Sequence, residues 1–423
     1  MLGIGSTYVH HLSYNYSSQR YRYYFVFLLF IVWPFGAFLH SLYQYDKRES
    51  KIVFILFTAL FGYSLVAEFG GLDLYRVMQS LAPVSRLTFA EFKEAHLGQE
   101  SVDLYRDLVT FLVSRLTNNP KWLMFTFGIV AGYFYTRVLS LFTHEQYGKD
   151  IYKFLLIVSF SCIDGIDQLS GVRMSLATYV FFYGAIKVII PEDKRYLIVA
   201  ASSILIHFSF LSVVLLLLIF PVLKKYPKII YLVLILSFIL PDLLKSYILQ
   251  YSSFFGQGIE ARTELYYNLD ADLHLGSDTS WYVRLRIISM LIFCYLVLFI
   301  TRIKKNTIHY SEKTNYLFLF SLLILSFVNF TMEIPHFGYR FQFVFLMFAF
   351  FYVYRVYTEN SETTFISNLV LISFPFSILM IVYSLRSTLA ITPLSFYYFS
   401  LPGLFVDHSA HSAWTAIQSF HIF

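Results

Sequence analysis

An arginine at the start of a long apolar segment is the first residue whose type and place suggest chemistry. Arg173 lies in residues 170–177 (SGVRMSLA), directly before a stretch of membrane-helix length. A guanidinium stays charged when partly buried and binds phosphate oxygens in pairs, and a helix N-terminus adds partial positive charge. Arg173 is therefore a candidate for binding an anion. The alternative is a structural salt bridge to Asp164 or Asp167.

A second polar group follows the second apolar segment, in residues 69–76 (FGGLDLYR). The paired glycines allow a sharp turn. Asp73 is placed to accept a proton from a sugar hydroxyl, Tyr75 to stack on a sugar ring, and Arg76 to bind substrate. The alternative is that Asp73 is the N-cap of an amphipathic helix at the membrane interface.

A third polar group occupies residues 332–341 (MEIPHFGYRF). This short turn brings Glu333, His336 and Arg340 close together before another apolar helix. Arg340 repeats the arrangement of Arg173, an arginine at the outer start of a span. The alternative is an interfacial anchor whose side chain reaches the headgroups.

Further candidates interrupt apolar segments, where ionisable groups are costly and therefore need a reason. His207 lies within an apolar run, where it is either functional or a satisfied neutral residue. Arg284 and Arg286 begin the span after a long acidic loop. They either bind phosphate or pair with Asp272 or Asp278.

Composition identifies the class of protein that must position these residues. Of 423 residues, 57% are hydrophobic, 20% aromatic and 14% charged, and the mean hydropathy is +0.61. Soluble proteins carry roughly 25% charged residues. A soluble enzyme, a secreted disulfide scaffold and a disordered tail are therefore excluded. The net charge of +6 reflects cytoplasmic loops rather than a nucleic-acid partner. The two cysteines fit no disulfide framework or zinc spacing.

Apolar stretches of spanning length recur along the chain. Lipid-exposed backbone must satisfy its own hydrogen bonds, so these stretches favour helices. We predict an all-α, polytopic inner-membrane helix bundle with about ten full spans plus a hairpin or split span at 196–223. The candidate spans are 23–42, 51–67, 122–142, 151–163, 170–190, 196–223, 228–249, 281–301, 315–331, 339–357 and 365–384.

Short basic loops predict the orientation, because such loops stay in the cytoplasm. They are residues 46–50, 192–195, 224–228 and 302–313. The outer segments are then loops 68–121 and 251–280, the turn 332–338 and the C-terminal tail 385–423. We predict one membrane domain, residues 1–423, because no repeat or soluble segment divides the chain.

All the basic loops can lie in the cytoplasm only if residues 196–223 enter and leave the membrane on the same side. One straight helix there would measure about 42 Å, which is long for a bilayer core of about 30 Å. We favour a hairpin that turns near His207, Phe208 and Ser209. Segment 151–163 is also short, so its polar tip lies below the outer surface. Two submerged polar tips predict a cavity that opens outward.

These motifs resemble the EpsG family, which is similar to Wzy-type O-antigen and capsule polymerases. The resemblance lies in residues 171–177 (GVRMSLA), the basic turn 192–195 (EDKR) and residues 206–209 (IHFS), with Arg173 and His207 34 positions apart. Gly71, Asp73 and Tyr75 resemble the early Gly-x-Asp and Tyr motif of the family. Residues 339–341 (YRF) resemble its late Arg-Phe pair. The resemblance covers residues 20–385.

The resemblance implies a membrane-embedded glycosyltransferase, a polysaccharide polymerase at the outer face of the bacterial inner membrane. It would transfer a growing glycan from undecaprenyl pyrophosphate to a lipid-linked repeat unit, in O-antigen, lipopolysaccharide, capsule or exopolysaccharide biosynthesis. Arg173 and Arg340, helped by Arg284 or Arg286, would meet the pyrophosphate. Asp73 or His207 would be the base.

Arginines in place of a metal imply no metal and no cofactor. The expected partners are undecaprenyl-pyrophosphate-linked oligosaccharides, the lipid bilayer and a chain-length regulator, with no nucleic acid. Two other functions stay open: a flippase or transporter of lipid-linked oligosaccharides, and an O-antigen ligase. A transporter usually shows repeat symmetry, whereas the polar groups here concentrate on the outer side.

Overall fold

The computed structural model describes residues 21, 23–45, 47–66, 73–96, 103–142, 151–163, 168, 172–241, 292, 295, 298–299, 309–332, 337–360, 364–406 and 411–419. Every regular element within these ranges is a helix, which confirms the all-α prediction for the described residues. Four of the candidate residues lie outside these ranges: Arg284, Arg286, Glu333 and His336.

The helices follow one another in a simple order. They are α1 (Tyr23–Val32), α2 (Pro34–Tyr43), α3 (Arg48–Tyr63), α4 (Asp73–Ser85), α5 (Phe89–His96), α6 (Leu104–Ser114), α7 (Pro120–Leu139), α8 (Ile151–Ser161), α9 (Met174–Ile189), α10 (Tyr196–Ile206), α11 (Phe210–Leu223), α12 (Pro227–Ile239), α13 (Glu312–Thr331), α14 (Phe337–Glu359), α15 (Thr364–Ile391), α16 (Leu401–Val406) and α17 (Ala413–Ser419). Short 3-10 turns occupy Ser140–Phe142 and Leu394–Tyr397.

Three helical segments of the described chain are long and apolar enough to cross a bilayer: Pro120–Phe142, Glu312–Thr331 and Arg340–Glu359. Each agrees within a few residues with a span predicted from the sequence. Six shorter apolar helices, of 10–17 residues, accompany them: Tyr23–Val32, Met174–Ile189, Tyr196–Ile206, Phe210–Leu223, Pro227–Ile239 and Ile378–Ile391. The membrane class is thus supported, whereas the count of about ten full spans and the outward cavity stay predictions.

The chain divides into two compact units. Unit 1 comprises Met1–Ser85, Leu112–Thr143 and Arg386–Phe423, and unit 2 comprises Arg86–Phe111 and His144–Leu385. Each unit is assembled from segments far apart in sequence. The prediction of a single membrane domain stays a prediction.

Unit 1 is built on a close contact between α3 and α7. Gly128 and Gly132 are four residues apart on α7, and a Cβ on Gly128 would lie 2.3 Å from the Thr58 carbonyl oxygen. Small residues at this spacing let two membrane helices pack backbone to backbone. The C-terminal tail joins the same unit, since the Trp33 indole donates to the Tyr397 carbonyl at 2.7 Å.

Unit 2 holds α9, α10 and α14 in close contact. A Cβ on Gly184 of α9 would lie 2.5 Å from the backbone nitrogen of Ala200 on α10, so only glycine permits this approach. On α14, the ring of Phe348 packs edge-on against Phe182 of α9 with centroids 4.8 Å apart. Nine-tenths of the apolar part of α14 is buried, so this helix forms the centre of unit 2.

The segment 196–223 is a hairpin, as the sequence indicated. Helix α10 ends at Ile206 and α11 begins at Phe210. Beyond the end of α11, the Lys224 Nζ lies 2.6 Å from the Glu192 Oε1 in the loop before α10. One straight helix would separate these ends by about 42 Å. The ion pair therefore requires the chain to fold back, with His207, Phe208 and Ser209 at the tip.

Candidate functional site

A buried carboxylate brings together two of the sequence-predicted residues. Asp103, the residue before α6, is 3% exposed. Its Oδ2 accepts a hydrogen bond from the Arg173 Nη1 at 2.7 Å, and its Oδ1 accepts one from the backbone N–H of Phe208 at 3.0 Å. The His207 Nδ1 lies 3.3 Å from both carboxylate oxygens. We call Asp103, Arg173, His207 and Phe208 the Asp103 cluster.

Helix ends place each member of the Asp103 cluster. Arg173 immediately precedes α9, and His207 immediately follows α10. The Phe208 N–H is free to donate sideways because the chain leaves helical geometry at His207, where φ is −149° and ψ is 110°. The tight packing at Gly184 holds α9 against α10 and thereby keeps these two ends in register.

The electrostatics of the cluster favour an ionised carboxylate. Burial raises the pKa of Asp103, but the hydrogen bond and charge of His207, the Phe208 N–H and the charge of Arg173 outweigh it. The net result is a pKa well below the usual range of an aspartate. The Arg173 side chain is 22% exposed, so it contacts Asp103 while part of the side chain remains accessible.

Arg340 lies at the same end of unit 2 as the Asp103 cluster. It belongs to the first turn of α14 and is exposed. The neighbouring Phe341 ring packs against Phe210 with centroids 5.3 Å apart, and the Phe210 ring lies 6.4 Å from the His207 ring. The start of α14 therefore lies beside the tip of the α10–α11 hairpin.

The opposite end of unit 2 carries predicted basic loops. Besides its ion pair with Glu192, the Lys224 ammonium lies 3.9 Å from the centroid of the Tyr316 ring on α13. The hydrogen bond from Lys224 lowers the pKa of the Glu192 carboxyl. The 16 residues of α9 separate this end from Arg173 by about 24 Å. Loops 192–195 and 224–228 thus lie at one end of unit 2 and the Asp103 cluster at the other.

Comparison with known proteins decides the family. The sequence model of the EpsG family matches residues 88–399, which is more than half of the 423-residue chain. The chain belongs to the EpsG family. EpsG proteins are membrane proteins that resemble Wzy polymerases and are related to glycosyltransferases. No curated protein and no solved structure matches the chain significantly.

The EpsG match includes Asp103, Arg173, His207 and Arg340 and begins after Asp73. All four residues of this group belong to unit 2. The family match covers most of unit 2 and parts of unit 1, so it is the geometry that singles out these four residues.

Asp73, Tyr75 and Arg76 lie on α4 in unit 1 of the EpsG chain. On α4 the side chains of Leu74 and Val77 are buried whereas Arg76 is exposed, which is the pattern of an amphipathic helix. The Tyr75 hydroxyl accepts a hydrogen bond from the Gln79 side chain. Asp73 is the first residue of this helix. The amphipathic helix of the alternative interpretation is therefore present, whereas both the N-cap role and the catalytic role of Asp73 stay predictions.

Sequence reasoning on this EpsG chain missed Asp103. An aspartate directly before an amphipathic helix reads as an ordinary N-cap of α6. Nothing in residues 101–105 indicates that its carboxylate reaches partners 70 and 104 positions away. The structural alternative for Arg173, a salt bridge, is also realised here, but its partner is Asp103. Asp164 and Asp167 lie outside the described residues.

Proposed function

We propose that this EpsG-family chain is a polysaccharide polymerase. It transfers a growing glycan from undecaprenyl pyrophosphate to a lipid-linked repeat unit at the outer face of the bacterial inner membrane. The product is an O-antigen, capsule or exopolysaccharide. The observation that carries the proposal is the Asp103 cluster, where one carboxylate holds a guanidinium and an imidazole at one end of unit 2.

His207 and Arg173 suit the two charge changes of glycosyl transfer, which are the loss of a proton from the acceptor hydroxyl and the development of negative charge on the pyrophosphate. The acceptor hydroxyl oxygen bonds to the anomeric carbon of the donor, and the bond from that carbon to the phosphate oxygen breaks through an oxocarbenium-like state. His207 takes the proton of the hydroxyl. The electron pair leaves with the pyrophosphate, and Arg173 stabilises its developing charge.

Arg340 is the second cation proposed for the pyrophosphate. It is exposed at the start of α14, beside the tip that carries His207. Arg284 and Arg286 are proposed as helpers, and Glu333 and His336 as glycan contacts. In unit 1, Tyr75 and Arg76 remain proposed glycan contacts and Asp73 the alternative base.

The charges of unit 2 support the proposed orientation. Basic loops between spans stay in the cytoplasm. Loops 192–195 and 224–228 lie at the end opposite the Asp103 cluster, as the ion pair of Glu192 and Lys224 requires. With that end in the cytoplasm, Arg173 and His207 face the periplasm or the outside, where lipid-linked repeat units are presented. A chain-length regulator would meet the chain there.

Deletion of the gene tests the function, with the surface glycan displayed on a gel. We expect products with a single repeat unit, and complementation with the wild-type gene restores the ladder. A His207→Gln variant should fail to complement. The matched control is His309→Gln, because His309 is exposed and pairs through its backbone with Asn360, away from the cluster.

Two outcomes of the same gel would contradict the proposal. Unflipped repeat units accumulating inside the cell would identify a flippase. Free polymer that is not joined to lipid A would identify an O-antigen ligase.

A further inference from the structure

We infer that Asp103 is the positioning residue of this site: it fixes which nitrogen of His207 accepts the proton of the acceptor hydroxyl. The inference rests on the proposed function and deepens it, since neither the sequence motifs nor the family match assigns a role to Asp103. Asp103 acts through His207 and Arg173, without touching the reacting atoms.

The geometry of the His207 ring selects one nitrogen for Asp103. Only Nδ1 of the His207 imidazole faces the carboxylate, at 3.3 Å from both oxygens. An ionised carboxylate only accepts hydrogen bonds, so it selects the tautomer that carries its hydrogen on Nδ1. The other nitrogen, Nε2, then has a lone pair and can act as a base.

Two further donors fix the position of the Asp103 carboxylate. The N–H of Phe208 donates to Oδ1 and the guanidinium of Arg173 donates to Oδ2. These two bonds hold the carboxylate at the hairpin tip, within 3.3 Å of the His207 Nδ1. Because the side chain of Asp103 is only 4% exposed, water competes little for these contacts.

The same carboxylate orients both proposed catalytic side chains, Arg173 and His207. Arg173 meets the donor pyrophosphate and His207 meets the acceptor hydroxyl in the proposed reaction. Asp103 bonds to both side chains, so it sets the distance between the cation and the base. Glycosyl transfer needs both groups in one fixed geometry.

Asp103→Asn separates positioning from packing, because asparagine keeps the shape of aspartate. Its carbonyl oxygen accepts from Phe208 or Arg173, but its amide is a donor and turns toward Nδ1. This favours the tautomer with hydrogen on Nε2. In that tautomer Nε2 has no lone pair with which to take the proton of the acceptor hydroxyl. In a protease triad the corresponding change lowers turnover by about 10⁴-fold.

The experiment is a double-mutant cycle with the full chain in proteoliposomes and purified lipid-linked repeat units. It measures turnover at saturating donor for wild type, Asp103→Asn, His207→Gln and the double variant. We expect Asp103→Asn to lower turnover by at least about 100-fold. In the His207→Gln background the same change should cost at least about tenfold less than in wild type, because the part of the loss that runs through His207 is already gone and only the part that runs through Arg173 remains.

Controls keep misfolding apart from positioning. Asp107→Asn is the matched variant, because Asp107 is also buried on α6 and pairs with the neighbouring Arg106. It should retain turnover within about threefold. Each variant is checked for monodispersity and for its unfolding temperature. Asp103→Glu keeps the charge and should regain more turnover than Asp103→Asn at equal stability.

Losses that multiply in the double variant would overturn the inference, because Asp103 would then act independently of His207. Full turnover in Asp103→Asn would overturn it as well. Neither result touches the proposed function, which fails only if the wild-type protein makes no polymer from lipid-linked repeat units in the same assay.

Discussion

Removing the guanidinium at position 173 has two separable consequences. In Arg173→Ala the Asp103 carboxylate stays buried but loses the donor 2.7 Å from its Oδ2. Breaking a buried ion pair from one side costs about 3–5 kcal/mol. Arg173 is 22% exposed, and Phe208 and His207 still contact the carboxylate. We therefore expect a loss of stability of about 3 kcal/mol, at the low end of that range.

The effect on chain growth should be larger than the effect on folding. Arg173→Ala should yield single-repeat products on the glycan gel, because nothing replaces the cation at the leaving group. Arg173→Lys should restore polymer poorly, since an ammonium cannot present a planar fork to phosphate oxygens.

A neutral pair distinguishes the two effects. The double variant Arg173→Met with Asp103→Asn removes both charges of the Arg173–Asp103 ion pair and should regain part of the unfolding temperature that Arg173→Ala loses. It should still make no polymer. The assays are thermal unfolding in detergent and the surface-glycan ladder, at matched expression. Wild-type chain length in Arg173→Ala would refute the reasoning and remove Arg173 from the site.

Three further outcomes are expected. Gly184→Val should destabilise the protein by about 1–3 kcal/mol and shorten the glycan, because its side chain meets the Ala200 backbone nitrogen at 2.5 Å and pushes α10 from α9. The control is Gly403→Ala, whose added Cβ meets only the Phe399 side chain, at 3.3 Å. Equal effects of the two changes would contradict this expectation. The pKa of Asp103 is lowered in the folded protein. The ionised carboxylate therefore stabilises the fold fully above the ordinary aspartate pKa, and this stabilisation is lost as the pH falls toward the lowered pKa of the folded state. Between about pH 5 and about pH 3 the unfolding temperature should thus fall more steeply in wild type than in Asp103→Asn, and parallel curves would contradict the pKa shift. Finally, a chelator should leave polymerisation in proteoliposomes unchanged, whereas loss that magnesium reverses would disprove metal independence.

Composition and local pattern were sufficient for the class of fold. The low share of charged residues and the apolar stretches predict membrane helices, because backbone in lipid must bond to itself. The hairpin at 196–223 also followed from the sequence, through its length and the lysines after it. The helical class and the hairpin both depend on composition and on spacing along the chain, and a sequence states these directly.

The candidate site was only partly predictable. Arg173 and His207 stand out because each is an ionisable residue within or beside an apolar run, where burial is costly. Their proximity was not predictable, because it depends on how α9 and α10 pack at Gly184. Asp73 stands out equally in the sequence; it lies on α4 of unit 1, and its role stays a prediction.

The sequence by itself determined that this chain is a helical membrane protein with ionisable residues, Arg173 and Arg340 among them, at the ends of its apolar stretches. Only the tertiary structure decided that a single carboxylate joins Arg173 to His207. Asp103 is an unremarkable polar loop residue in the sequence, and its contacts span 70 and 104 positions. Periodicity reports which face of a helix is buried, but it carries no information about which loop meets that face.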